Sequence, residues 1–369
     1  MRTGAVAMVF GTRPELVKLA PLLWEFGQAA NTIHTGQHRL ETLIETAADL
    51  GLEPPSISYD IVQSPRGRQV GEAVAAVTEA LVAMRPEVVV VQGDTNSALA
   101  GALAATSLDI PLVHVEAGLR AFDRALPEER NRIVIDHLAD LGCAPTETAR
   151  AHLRLEGIAE GRIVVTGNTV VDAARRCLPN SVERAAVVER YGLTSTAYVL
   201  ATMHRPENVD DALALEAIID ELGRLPIPVI FPAHPRTVDR ARDADLDLAA
   251  GSIRLIGPVG YREFLALEAE CALIVTDSGG IQEEASIVGR PAIVVRRSTE
   301  RPEGLGTVST LVGVGPEIGT TARAMLTDLD AIHRQLAALG SLYGDGHAAP
   351  RTLAAINDLL TQEGAPLLL

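Results

Sequence analysis

Asp94, Glu116 and Glu128 are the residues of this chain best placed to move a proton. Asp94 lies just beyond the run Glu87-Val88-Val89-Val90-Val91-Gln92, and Glu116 closes Pro111-Leu112-Val113-His114-Val115. Unbroken β-branched runs of this kind are strands of a parallel sheet buried on both faces. Both carboxylates therefore fall on the C-terminal rim of one sheet. Glu128 joins them after Pro127, in the first turn of a helix. A single acid at such a place usually caps a helix, which is the plain reading of Asp94 ahead of the helix at 98–106. Several on one rim repel one another and raise each other's pKa, which suits proton transfer.

Other stretches read as anion and nucleotide contacts. Leu273-Ile274-Val275-Thr276 is a strand, Asp277-Ser278-Gly279-Gly280 a tight turn, and Ile281-Gln282-Glu283-Glu284 the start of a helix. Glycine lets backbone approach a ligand, and the open N–H groups of a helix end suit a phosphate or diphosphate. Glu284, one and a half turns in, could take a ribose diol. Alternatively Ser278 or Asp277 only caps that helix. His204 and Arg205 end the strand at 197–202, just before a new helix. Phe264 either stacks on a flat base or packs between helix and sheet. Gly11-Thr12-Arg13-Pro14-Glu15 follows the strand at 5–10, with Pro14 at the first position of a helix to about Phe26. Arg13 thus stands where open α/β sheets hold ligands, with Lys18 one turn further. The alternative is a surface pairing of both cations with Glu15.

The elements that must hold these residues alternate strand and helix along the whole chain. That predicts an α/β protein of two doubly wound parallel sheets, with the ligand in a cleft between their rims. The boundaries read as 1–170 for the domain with the carboxylates and 171–349 for the second. A C-terminal helix within 350–369 packs back on the first. A length of 369 residues suits about two domains. The net charge of −16 argues against nucleic acid or a membrane surface as partner, so cations for an anionic ligand must be local. Lys18 is the only lysine among the 32 basic residues, which singles it out. Cys143, Cys177 and Cys271 are scattered without metal spacing, as expected of reduced thiols in the cytoplasm. Neither a signal peptide nor a membrane-spanning run is expected.

The motifs together resemble the non-hydrolysing UDP-N-acetylglucosamine 2-epimerases. They are Gly11-Thr12-Arg13-Pro14-Glu15 with Lys18, Gly93-Asp94-Thr95, and His114-Val115-Glu116-Ala117-Gly118-Leu119-Arg120. Pro127-Glu128-Glu129 with Asn131-Arg132, Gly167-Asn168-Thr169, residues 277–284, and Thr299-Glu300-Arg301-Pro302-Glu303 complete the series. They run in the family's order over nearly the whole chain. The resemblance implies the GT-B-type fold of one large glycosyltransferase class, a homodimer, and an isomerase without cofactor or metal. It implies anti elimination of UDP to a 2-acetamidoglucal and syn re-addition, inverting carbon 2. Asp94, Glu116 and Glu128 match the family's acid/base residues. His204, Arg13 and the Ser278-Gly279-Gly280 helix end match the diphosphate site, and Glu284 the ribose contact. Lys18, Phe264 and Arg301 match further pocket positions.

Departures from the family pattern fall near the ligand. His204-Arg205-Pro206-Glu207 stands where many bacterial members have His-Arg-Arg-Glu, Val259 replaces an expected glutamine before Phe264, and Leu40 follows Gln37-His38-Arg39 where a polar residue is usual. In many bacterial members Gln37, His38 and His234 match a second, activating UDP-sugar site. Leu40 and Pro206 imply that this site is weakened here. The alternatives are a 2-epimerase for a modified UDP-aminosugar, a glycosyltransferase, or a nucleotide-sugar sensor that has lost its chemistry. The joint presence of Asp94, Glu116, Glu128 and His204 argues against the sensor. Cell-envelope or secondary-metabolite synthesis would both use such a product.

Overall fold

The computed structural model describes residues 4–61, 65–193 and 197–362. The chain divides into two compact units, one of Met1–Arg175 with Tyr343–Leu369, the other of Arg176–Leu342. Each is a parallel sheet flanked by helices, a Rossmann-like unit.

In the N-terminal unit the strands are β1 (Val6–Phe10), β2 (Ala30–His34), β3 (Ile57–Ser58), β4 (Val88–Gln92), β5 (Leu112–Val115), β6 (Leu141–Ala144) and β7 (Ile163–Val165). They pair in the order β3-β2-β1-β4-β5-β6-β7. Every residue of β1, β4 and β5 is buried, which is why these segments show no alternation. The order reverses between β1 and β4, so the turns after those strands, at Gly11 and Gly93, flank the switch point where open sheets bind ligands. The short β3 pairs with β2 at the edge of the sheet. The helix after it runs Arg66–Met84. Strand β6, Leu-Gly-Cys-Ala, carries no β-branched residue and forms because β5 and β7 pair with it on either side.

The C-terminal unit contains β8 (Val199–Thr202), β9 (Val229–Pro232), β10 (Ile253–Ile256), β11 (Leu273–Thr276), β12 (Ala292–Val295) and β13 (Ser309–Val312). Their order is β10-β9-β8-β11-β12-β13, reversing between β8 and β11. The turns after these two strands carry His204 and Asp277.

The crossing falls inside the helix Thr169–Cys177, and the chain returns at Tyr343. Contacts made by these helices decide both points. Val170, Val171, Ala173 and Ala174 are buried, and Asp172 accepts the Ala348 and Ala349 N–H groups at 3.1 and 2.9 Å. Asp172 thereby caps the helix Ala348–Gln362, which packs on the helix Arg13–Phe26 and on β6. The expected C-terminal helix extends to 369, but its last residues, 363–369, lie outside the described ones. Among the described residues no helix is long and apolar enough to cross a membrane.

Candidate active site

The first turn of the N-terminal rim depends on Gly11. A Cβ there would stand 1.9 Å from Ser97 Oγ and 2.5 Å from Thr35 Oγ1, so only glycine lets this loop lie against those hydroxyls. Thr35 and Ser97 hydrogen-bond at 2.6 Å, and Ser97 donates to Gln37 at 2.9 Å. His38 closes the loop: its N–H donates to Gly11 O, and its Nδ1 accepts the Arg13 N–H at 3.3 Å. Thr12 and Glu15 form a capping box on the helix Arg13–Phe26. Burial pushes the Glu15 carboxyl up to about 7, against the Thr95, Thr12 and Gly11 hydrogen bonds that favour its charge.

Lys18, one turn into that helix, is buried and forms an ion pair with Glu116. Asn168 donates to the same carboxylate oxygen at 3.1 Å. Glu116 has φ +72°, a left-handed conformation that costs a non-glycine residue about 1–3 kcal/mol and clusters at functional sites. The N–H groups of Glu116 and Ala117 both donate to Cys143 O at 3.1 Å and hold that conformation. Asp94 receives Arg132 through Nε at 3.0 Å and through Nη2, and its carbonyl accepts Asn131 Nδ2 at 2.8 Å. Glu129 pairs with Arg132 at 2.9 Å and accepts the N–H groups of Ala121 and Phe122. Glu128 is exposed on the first turn of the helix Pro127–Leu138.

Asp94 and Glu116 follow neighbouring strands, and each holds its own cation. Below them, fully buried His114 places Nδ1 2.6 Å from Asp136 and Nε2 2.8 Å from Gly93 O. Asp136 also accepts the Gly118 N–H at 3.2 Å and pairs with Arg120 at 2.7 Å, and Arg120 in turn reaches Glu156. Burial alone would raise the Asp136 carboxyl, but His114 and Arg120 outweigh it and bring it below the usual range.

On the C-terminal rim the helix Gly279–Val288 starts with Ser278 at its N-cap, and no side chain caps it. The capping alternative fails for both candidates. The Ser278 N–H turns to Thr276 Oγ1 at 3.0 Å, and Asp277 turns to the other rim loop. Asp277 accepts the N–H groups of His204 and Arg205 at 3.1 and 2.9 Å and Asn208 Nδ2 at 3.0 Å, and it pairs with His204 Nδ1 at 3.0 Å. With the His204 side chain 45 % exposed, Nε2 stays available to a ligand. A Cβ on Gly280 would meet nothing within 4 Å, so the helix end is open there. At Gly279 the same atom would lie 2.6 Å from Glu300 Oε1.

Burial raises the Asp277 carboxyl, but His204, Arg205 and Asn208 outweigh it and bring it from 3.8 to about 2. A depressed carboxyl adds stability that is complete above 3.8 and disappears as pH falls through about 2, here about 2 kcal/mol. Asp277→Asn should therefore be less stable than the parent at neutral pH, with the gap closing in acid. Urea titrations at a series of pH values measure it, and a gap that is constant with pH would refute the assignment.

Arg301 is buried on Glu283, so much of its charge is already matched, and Glu300 lies between Arg296 at 2.8 Å and Arg301 at 3.4 Å. Glu284 is buried, and fully buried Glu268 is pushed well above the carboxylate range by burial and then by Glu284. Phe264 is half-buried and packs against the core around Tyr198, Leu200 and Leu267. His234 is exposed and caps the helix Pro235–Asp243 by accepting the Arg236 N–H at 3.2 Å. No cluster among the described residues could hold a metal ion.

Sequence reading missed Arg132, Asn168 and Asp136 as partners of the rim and offered Asp277 only as an alternative cap, without its partners on the other loop. Arg132 was detectable: Asn131 and Arg132 follow Glu128 by three and four residues, on one face of the helix. Asp277 was not, because its partners lie more than 65 residues away.

Residues 27–357 match the model of the family described as UDP-N-acetylglucosamine 2-epimerase. The UDP-N-acetylglucosamine 2-epimerase of Methanocaldococcus jannaschii is 41% identical over 311 residues, 81% of this chain and 85% of that protein. A UDP-2,3-diacetamido-2,3-dideoxy-D-glucuronate 2-epimerase of Pseudomonas aeruginosa is 34% identical over 94% of this chain and 97% of its own. The crystal structure of the Methanocaldococcus jannaschii enzyme in complex with UDP-GlcNAc and UDP superposes with a TM-score of 0.85 at 38% identity, covering 95% of this chain and 99% of that one.

Proposed function

The chain belongs to the UDP-N-acetylglucosamine 2-epimerase family, and we propose that it interconverts UDP-N-acetylglucosamine and UDP-N-acetylmannosamine without a cofactor. The observation that carries this reading is the pair Asp94 and Glu116, at neighbouring strand ends and each held by its own cation. Carbon 2 of the sugar bears a weakly acidic proton, so inversion without redox chemistry needs a base to remove it and an acid to return one on the other face. One carboxylate takes that proton as the carbon 1–oxygen bond breaks and UDP leaves with the electron pair. Re-addition of UDP to the 2-acetamidoglucal, with a proton delivered to the opposite face, completes the inversion. Lys18 and Arg132 fix the two carboxylates, and Glu128 supplies a third group of the same kind. His204 and the open Gly279–Val288 helix end bind the diphosphate, with Glu284 on the ribose and Phe264 and Arg301 beside it. The assembly proposed is a homodimer.

The test is incubation of pure protein with UDP-N-acetylglucosamine alone, followed by anomeric protons in NMR. In heavy water, deuterium should enter carbon 2 of the product, because the carboxylate exchanges its proton before returning it. Turnover without deuterium uptake would sink the elimination route. The Pseudomonas aeruginosa relative motivates a second reading, a modified UDP-aminosugar as substrate. Inertness toward UDP-N-acetylglucosamine, with turnover of the 2,3-diacetamido glucuronate, would establish it.

A further inference from the structure

Glu15 does more than close a capping box. Its Oε2 accepts the Gly11 and Thr12 N–H groups at 3.1 and 2.8 Å and the Thr12 hydroxyl at 2.8 Å, which fixes the start of the helix Arg13–Phe26. Its Oε1 reaches another loop and accepts the Thr95 hydroxyl at 2.7 Å. Thr95 is itself the N-cap of the helix Asn96–Ser107, accepting the Ala98 N–H at 3.0 Å. A hydroxyl that donates to Glu15 keeps its lone pairs turned toward Ala98, so one buried carboxylate sets the starts of two helices. Lys18, which holds Glu116, rides on the first helix, and Asp94 is bonded directly to Thr95.

We propose that Glu15 is a positioning residue for the reaction, holding Asp94 and the Lys18–Glu116 pair in common register through Thr95. The proposal rests on the reading of Asp94 and Glu116 as acid/base groups. Its geometry supports the role because Glu15 is 1% exposed and all four of its partners lie in the rim loops after β1 and β4. A 1 Å error in such groups costs up to about 100-fold in rate.

Glu15→Gln tests this without dismantling the helix. The amide oxygen can keep the bonds to Gly11 and Thr12, while its NH2 faces Thr95 and cannot accept that hydroxyl. Glu15→Gln should melt near the parent and lose about 10- to 100-fold in kcat, with UDP affinity by calorimetry unchanged. Amide hydrogen exchange should quicken at Ala98 and stay slow at Thr12. Thr95→Val should show a similar kcat, and the double variant should be no worse than the poorer single one. Parental kcat in Glu15→Gln, UDP affinity falling in step with kcat, or losses that multiply in the double variant would each overturn the proposal. A parent inert toward both UDP-N-acetylglucosamine and the 2,3-diacetamido glucuronate would refute the epimerase reading instead, and the Ala98 exchange rate would still report on Glu15.

Discussion

Asp94→Asn, Glu116→Gln and Glu128→Gln should each lower epimerisation by about two to four decades, the usual worth of a general acid or base. UDP affinity should stay close to the parental value, because the groups proposed to hold UDP are mainly in the other unit. The substitutions are near-isosteric, so Arg132 keeps an oxygen at position 94 and Lys18 keeps one at 116. What disappears is the capacity to take and return a proton. Glu116→Gln also leaves the buried Lys18 ammonium without its counter-charge, so it should lose stability as well as rate. Asp94 is a quarter exposed and should show the rate effect with less loss of stability. Kinetics by NMR and UDP binding by calorimetry separate the two. Variants that turn over normally while binding UDP poorly would show that the rim acids serve binding instead.

Arg120→Ala should destabilise the N-terminal unit by about 3–5 kcal/mol, the cost of leaving one partner of a buried ion pair behind. Arg120 is 2% exposed and bridges Asp136, whose side chain is fully buried, to Glu156. His114 and the Gly118 N–H remain on Asp136 and cannot replace a guanidinium fork. In a urea titration followed by circular dichroism the unfolding midpoint should fall while its slope stays constant. A loss below about 1 kcal/mol would place Arg120 with surface pairs. Because His114 also holds the Gly93 carbonyl, the same variant should lose turnover out of proportion to its loss of UDP affinity.

The alternation of strands and helices, the rim positions of Asp94 and Glu116, and the glycine turn before the helix at 279 all follow from local rules. β-Branched runs, proline at a helix start and glycine at a turn act within a few residues, so they can be read in order along the chain. Strand β6 escaped because its residues have no strand preference of their own and take their conformation from β5 and β7. The division at Arg175 and Tyr343 likewise depends on distant contacts, since Asp172 caps a helix that begins at Ala348. The charge pairing of the site belongs to tertiary structure alone. Lys18 meets Glu116 across 98 positions, Asp94 meets Arg132 across 38, and Asp277 meets Asn208 across 69. The sequence determined which residue types stand on each rim, because that depends on where strands end. Which acid holds which cation was decided only when the sheets formed, because an ion pair needs charges within a few ångströms and carries no signature in spacing.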